Sequence, residues 1–239
     1  MLEGLTKLAG LSAAGEGPGV ITADGCAVEV YRLLLDAHEA PMLAQLVPAG
    51  GSVLDLGAGT GRLAHALRDL GLAVTAVDES AAMLAQIGPG VTLVRSNIEG
   101  LRLGTRYDLV LLASHLINTD DDELRRGLLD ACRRHVADTG AVVVQRHPPS
   151  WFDQVAATSK AHPPSSGLSI SLRDVSRPRA DVVAATAVYA IGDRSWTHRF
   201  VARRLDDPAT DEALAGSGLR RTGYLDEQRS WAVAQPYSG

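Results

Sequence analysis

Two periods of apolar residues alternate through the middle of the chain. Five short runs are continuously or nearly continuously apolar: SVLDLG (52–57), LAVTAVD (72–78), VTLVRS (91–96), YDLVLLAS (107–114) and GAVVVQR (140–146). Between most of them, GRLAHALRDLG, SAAMLAQI and DDELRRGLLDACRRHVAD carry apolar residues at three- and four-residue spacing. Buried strands separated by amphipathic helices predict βαβ units and a mainly parallel, doubly wound, Rossmann-like α/β sheet. The third interval, NIEGLRLGTR, is too short and too broken by glycine to predict a helix.

The flanks have other textures. CAVEVYRLLLDAHEAPMLAQL reads as one or two helices ahead of the sheet, with Pro41 as a break or a first-turn proline. HPPSWFDQVAATSKAHPPSSG, rich in proline and serine, predicts a surface loop with at most a short helix. LSISLRDV, ADVVAATAVYAI and SWTHRFVARRL alternate apolar and polar residues and are separated by RPRA and GDR, as antiparallel strands are. DDPATDEALAGSG then predicts a short capped helix, and LRRTGYLD and SWAVAQP two last strands. The division expected is a helical cap over 1–49, an α/β core over 50–150, a loop with antiparallel strands over 151–205, and over 206–239 a helix with strands that close the core sheet.

Composition narrows the function classes. With 239 residues, 46% of them hydrophobic, one sizeable core is within reach. A net charge of −5 with scattered basic residues gives no footprint for nucleic acid. Cys26 and Cys132 lack metal-ligand or paired spacing, so they read as reduced thiols of a cytoplasmic protein rather than a zinc site or a disulfide frame. The first twenty residues lack a basic start and a continuous apolar stretch, and nothing later approaches the roughly 18 apolar residues of a spanning helix, so no membrane partner is expected. Oligomeric state is left open.

The chemistry concentrates in VLDLGAGTGRLAHAL (53–67), where a strand ending at Asp55 passes through Gly57, Ala58, Gly59 and Gly61 into a helix. A glycine-rich turn between strand and helix lets the backbone approach a nucleotide and presents the helix N-terminus to it. A dinucleotide fingerprint needs G-x-G-x-x-G, whereas the spacing here is D-x-G-x-G-x-G. That spacing resembles motif I of the class I S-adenosylmethionine (SAM)-dependent methyltransferases, and the likeness runs over about residues 50 to 146.

The resemblance implies a SAM site, with S-adenosylhomocysteine as product, built from the loop for the methionine part and Asp78 for the ribose, followed by Glu79. It places Met83 against adenine, although a core methionine on an amphipathic helix reads equally well. It also places Asn97, where the family usually has Asp, and the backbone of Ile98 at the adenine edge, and the backbone of Ser114 near the cofactor's amino group.

The acceptor is less specified. His115 and His147 follow the fourth and fifth strands, where a base would face the cleft, and an imidazole with its ordinary pKa of about 6.5 suits proton removal near neutrality. Either can equally be a loop histidine bonded to a carbonyl. Asn118, Trp151 and Phe152 are candidate acceptor contacts, as is His198 on a strand of the antiparallel segment. The run NTDDDE (118–123) reads as an N-cap, Asp120 to Glu123, rather than a metal site. Antiparallel strands after the fifth core strand are similar to the covers of glycine N-methyltransferase and amino-sugar N,N-dimethyltransferases, which implies a lid over a small-molecule acceptor and sets Tyr31 over the cofactor. The expected activity is methyl transfer to O or N of a small molecule. A SAM-fold enzyme of non-methylating chemistry and a SAM-binding protein without turnover fit the same motif.

Overall fold

The computed structural model describes residues 13–155, 159–161 and 167–237. In chain order the elements are β1 (Ala14–Glu16), α1 (Val28–Leu33), α2 (Ala40–Ala44), β2 (Ser52–Leu56), α3 (Arg62–Asp69), β3 (Ala73–Asp78), α4 (Ala81–Leu84), β4 (Thr92–Arg95), β5 (Tyr107–Leu112), α5 (Asp122–His135) and β6 (Val136–Gln145). They continue with α6 (Pro149–Gln154), β7 (Ser159–Ala161), β8 (Ser169–Arg179), β9 (Val182–Ile191), β10 (Arg194–Arg203), α7 (Asp207–Gly216), β11 (Leu219–Tyr224) and β12 (Trp231–Pro236).

The core sheet has the order β11-β12-β6-β5-β2-β3-β4. Its five strands from β6 to β4 are parallel, and β12 and β11 add antiparallel at one edge. Leu54, Leu56 and Leu109 to Leu112 are fully buried because both faces are covered, which is why these strands read as unbroken apolar runs. One face packs on α2, α3 and α4 through Leu43, Leu63 and Leu67, the other on α5 and α7 through Leu128, Leu129 and Leu214. Only β4 departs from the buried pattern expected: at the sheet edge it leaves Thr92, Leu93 and Arg95 exposed.

From β2 the chain builds outward to β3 and β4, then returns to place β5 on the other side of β2. The carboxyl ends of β2 and β5 therefore flank the switch point where doubly wound sheets bind ligands. As expected from NIEGLRLGTR, the crossover into β5 has no helix.

A second sheet, β1-β10-β9-β8-β7, is wholly antiparallel. Its strands β8 to β10 fall where the alternating patterns lie. The helical reading of residues 1–49 needs correction, since β1 at Ala14–Glu16 belongs to this sheet. Three residues carry no legible strand pattern, and they extend because the edge of β10 offers free hydrogen-bonding groups. Residues 1–12 of that segment lie outside the described ones.

Arg146, just past β6, is fully buried and joins four segments. Its guanidinium donates to the carbonyls of Arg229 (2.9 Å) and Leu205 (2.6 Å), to Thr210 Oγ1 (2.8 Å), to Asp207 Oδ1 (2.6 Å) and to Tyr224 Oη (2.9 Å). Such a cation is tolerated only because every donor has a partner and Asp207 supplies the counter-charge. Desolvation pushes the Asp207 pKa up, but bonds from Tyr224 and Arg146 outweigh it and hold the carboxyl below its usual range.

Asp207→Ala should cost about 3 kcal/mol, the lower end for stranding a buried charge, because the Asp207 side chain is 27% exposed. Urea denaturation measures it. A depressed folded pKa means that the stabilisation is complete above about 3.9, the unfolded value, and is lost as pH falls through the lower folded value. The stability gap between wild type and variant should therefore close below pH of about 4.

Candidate active site

At the switch point β2 delivers Asp55 and turns through Gly57 to Gly61 into α3. The N–H groups of Gly57 and Ala58 both donate to the carbonyl of Val77 (2.9 Å each), and that of Gly59 donates to Asp78 Oδ2 (2.9 Å). The other Asp78 oxygen accepts from Ser80 N–H (2.8 Å). Asp78 thus pins the loop to the end of β3, while each carboxylate oxygen keeps a further lone pair for a ligand. Its pKa is raised chiefly by desolvation.

The loop glycines are required for two different reasons. Gly57 (φ +72°) and Gly61 (φ +85°) are left-handed, and a Cβ would sit 2.7 Å from Leu116 Cδ1 and 2.8 Å from Ile87 Cγ1 respectively. Protein packing excludes side chains there. At Gly59 the nearest atom to such a Cβ is Tyr31 Cδ1, at 3.9 Å. Its backbone is bare towards the ring of Tyr31, whose carbonyl also accepts from Thr60 Oγ1 (3.0 Å). Tyr31 lies over the loop. Beneath the loop, Asp55 is 2% exposed, and burial pushes its carboxyl up to about 7.

Beside Asp78 a cleft of about 770 Å³ opens, lined by Glu79 to Ala81 and Arg95 to Asn97 on the core side and by Ile21, Thr22 and Ala23 opposite. It brings Glu79 and Asn97 together. Asn97 Oδ1 accepts from Gly100 N–H (3.2 Å), and Ile98 Cδ1 reaches to within 3.6 Å of a Cβ built on Gly57. Met83 is 3% exposed and packs against Cys26, Val28 and Tyr31, so it fills the core beneath this cleft. The segment 21–26 is the part of the site that the sequence reading missed. The turn-forming Asp24-Gly25 pair was its one signal. Thr22 Oγ1 bonds Asp24 and accepts from Cys26 N–H (2.9 Å), and Cys26 Sγ donates to Tyr31 Oη (3.2 Å), which ties this loop to the tyrosine.

On the other side of the loop, His115 and His147 meet as stacked rings, centroids 3.8 Å apart and 15° from parallel. Trp151 stacks on His147 (4.1 Å, 13°), and Phe152 stands edge-on to both. Ser114 (φ +55°) and His115 (φ +59°) are consecutive left-handed residues without being glycine, a strain of about 1–3 kcal/mol each that marks functional sites. The Ser114 N–H donates to Gln145 Oε1 (2.8 Å). Asn118, 2% exposed, donates to the Arg203 carbonyl (2.8 Å) and accepts from the His147 N–H (2.8 Å). Its amide therefore holds the His147 loop to the lid. His198 on β10 bonds the carbonyl of Asp24 (3.2 Å) through Nε2.

Neither imidazole keeps the ordinary value expected from sequence. Burial lowers His115 to about 4, against a bond to the Arg146 carbonyl that raises it, with Arg62 lowering it further. His147 is lower still, through burial first and then His115 beside it. The acidic run caps α5 as expected, but one residue later: Asp121, not Asp120, accepts from Glu123 and Leu124 N–H (2.9 and 3.0 Å). Asp120 pairs with Arg179, and Asp122 with Arg125 and Arg203.

A glycine loop pinned by a strand-end carboxylate at the switch point of a β11-β12-β6-β5-β2-β3-β4 sheet is the arrangement of class I methyltransferases. Residues 53–140 match the family model described as a methyltransferase domain. The fold is that of class I SAM-dependent methyltransferases. A methyltransferase (CcbJ) from Streptomyces caelestis superposes with a TM-score of 0.69 at 22% identity, over 90% of this chain and 92% of that one. A SAM-bound amino pentose methyltransferase from Micromonospora echinaspora, involved in calicheamicin biosynthesis, gives 0.67 at 20% identity, over 87% and 95%. A SAM-dependent methyltransferase from Clostridium acetobutylicum gives 0.69 at 14%, over 88% and 96%. Among curated proteins no sequence matches.

Depressed histidine values carry a linkage. The unfolded chain binds protons near pH 6.5 while folded His115 resists until about 4, so stability should rise with pH across that window. Proton NMR titration of wild type, with the His115→Asn variant to assign the resonance, should show this imidazole titrating near pH 4. A value near 6.5 would mean an open, solvated ring.

Proposed function

We propose that the protein is a cytoplasmic enzyme that transfers the methyl group of SAM to an oxygen or nitrogen atom of a small molecule. The observation that carries this reading is the glycine loop held by Asp78 beside the 770 Å³ cleft, inside a methyltransferase domain. The residues present fit SAM. The bare backbone at Gly59 admits the methionine part, and the free lone pairs of Asp78 can take the two ribose hydroxyls. Glu79, Asn97 and Ile98 stand where the adenine edge would fall. Bound there, SAM supplies an electrophilic methyl on a sulfonium and leaves as S-adenosylhomocysteine.

The chain's own part is alignment, exclusion of water and handling of a proton. Tyr31 covers the loop, and the strands β8 to β10 pack with Trp151, Phe152 and Phe200 into an apolar wall that would exclude water from an acceptor seated against it. His115 and His147, neutral at pH 7, stand on the β5 and β6 side as proton acceptors. A lid of this kind suits a small acceptor. Neighbours of the same fold include an amino pentose methyltransferase and a sugar N-methyltransferase, which supports a small-molecule acceptor of secondary metabolism here. Among the described residues no helix is long and apolar enough to cross a membrane.

Calorimetry tests the cofactor site. Asp78→Ala should weaken SAM binding by about 1.5–3 kcal/mol, the range for hydrogen bonds to a charged group, and a folded variant of undiminished affinity would remove Asp78 from the site.

A second readout uses Asp55. Because its carboxyl titrates near 7, an arriving sulfonium should lower that value and release protons at neutral pH, more for SAM than for uncharged-sulfur S-adenosylhomocysteine. Titrations in buffers of different ionisation enthalpy measure the difference, and equal release by both ligands would place the sulfonium away from Asp55.

A further inference from the structure

The wall opposite the cofactor cleft carries a statement about the acceptor. Six rings run continuously from the end of β5 to the lid: His115, His147, Trp151, Phe152, Phe200 and His198. The first three are near-parallel plates. Among the described residues no hydrogen bond fixes the rings of His147 or Trp151, so they rest by stacking alone. The Nδ1 of His115 is buried and has no hydrogen-bond partner, which in a folded protein costs free energy unless a ligand donor completes it. A neutral imidazole donates from one ring nitrogen and accepts at the other, and Nδ1 is the nitrogen left without a partner, open to the O–H of a ligand.

Charge around the pair completes the argument. The one charged group that acts on His115 is the Arg62 guanidinium, itself paired with Glu39 (2.8 Å), and His147 feels only His115. The carboxylates on the segments that flank the two histidines are engaged elsewhere: Asp120 with Arg179, Asp122 with Arg125 and Arg203, Asp153 with Arg204. Asp24 acts on His198 at the lid and bonds Thr22 and Cys26. An ammonium group brought against these two rings would find no carboxylate among the charges that act on either, and its desolvation would go uncompensated. A neutral hydroxyl would find an acceptor lone pair, and a flat ring would find plates on which to stack.

We propose that this wall selects an uncharged, flat hydroxyl compound, a phenol or an enol, whose O–H donates to Nδ1 of His115 and which is methylated on oxygen. The proposal rests on the methyltransferase reading above. His147 and Trp151 slide to admit the ring. His115 takes the hydroxyl proton as the oxygen–methyl bond forms and the methyl–sulfur bond breaks, the electron pair going to sulfur. The products are the methyl ether, the uncharged thioether and one proton, which the imidazolium, disfavoured by burial, passes to solvent.

Tryptophan fluorescence of the protein saturated with S-adenosylhomocysteine tests this with four probes: naphthol and catechol against naphthylmethylamine and glucosamine. The hydroxyl compounds should bind about tenfold or more tightly than the amines and quench fluorescence, with the quench absent in Trp151→Phe. His115→Asn should weaken naphthol binding by about tenfold or more and leave SAM affinity unchanged. Amines binding as tightly as the hydroxyl compounds, none of the four binding, or naphthol affinity surviving in folded His115→Asn would each overturn the proposal. If a variant does not fold, the wild-type ranking decides. Failure of the wild type to bind SAM overturns the methyltransferase reading instead.

Discussion

Three consecutive N–H groups of the glycine loop, at Gly57, Ala58 and Gly59, are received by the last two residues of the neighbouring strand, Val77 through its carbonyl and Asp78 through its carboxylate. The rest of the site depends on this clasp. It sets where β2 stops and α3 begins, and it turns Asp78 towards the cleft by using its oxygens from behind. It also leaves the backbone at Gly59 uncovered under Tyr31. Because the clasp joins parallel strands adjacent in the sheet, β2 and β3, its geometry is inherited from the strand register in which Asp55 lies beside Ala76 and Leu56 beside Val77.

The core was legible because its causes are local and periodic. Strands buried on both faces must be continuously apolar, helices over them must be amphipathic, and D-x-G-x-G-x-G can be spelled out in a few residues. The lid strands showed themselves by alternation. What the sequence concealed has non-local causes. The strand β1 extends because β10, far along the chain, offers it an edge. The loop 21–26 becomes a cleft wall only through its bonds to Tyr31 and its packing on Met83. Arg146 looked like one more basic residue at a strand end, and its burial is possible only because α7, the β11–β12 turn and Tyr224 surround it with acceptors.

The candidate site residues divide along the same line. Motif residues such as Asp78, Glu79 and Asn97 lie about the cleft because their positions follow from strand ends. The histidines were found for the right geometric reason, the carboxyl ends of β5 and β6, yet sequence could not foretell that they stack on each other or that burial keeps both neutral. Asn118 appeared as a possible acceptor contact because it is polar and near His115. In the fold its amide donates to the Arg203 carbonyl and accepts from the His147 N–H, so it acts as the brace between β10 and the His147 loop.

The pairing of β1 with β10 has a consequence for how the molecule comes into being. Ala14 lies opposite Arg199, and Glu16 opposite Thr197, so one of the earliest described residues must wait for a strand far down the chain before its own strand exists. Contacts so distant along the chain close slowly, because the intervening loop entropy is lost before the ladder rewards it. During synthesis the parallel strands can form while the antiparallel sheet remains incomplete, and β12, which covers the edge of β6, arrives later than every other described element. The nascent chain therefore passes through a stage in which the glycine loop is built while the antiparallel sheet beside it is incomplete and the β6 edge is exposed. That stage is when the protein is most vulnerable to aggregation, and when a ligand that bridges loop and lid would help most to hold the two halves together.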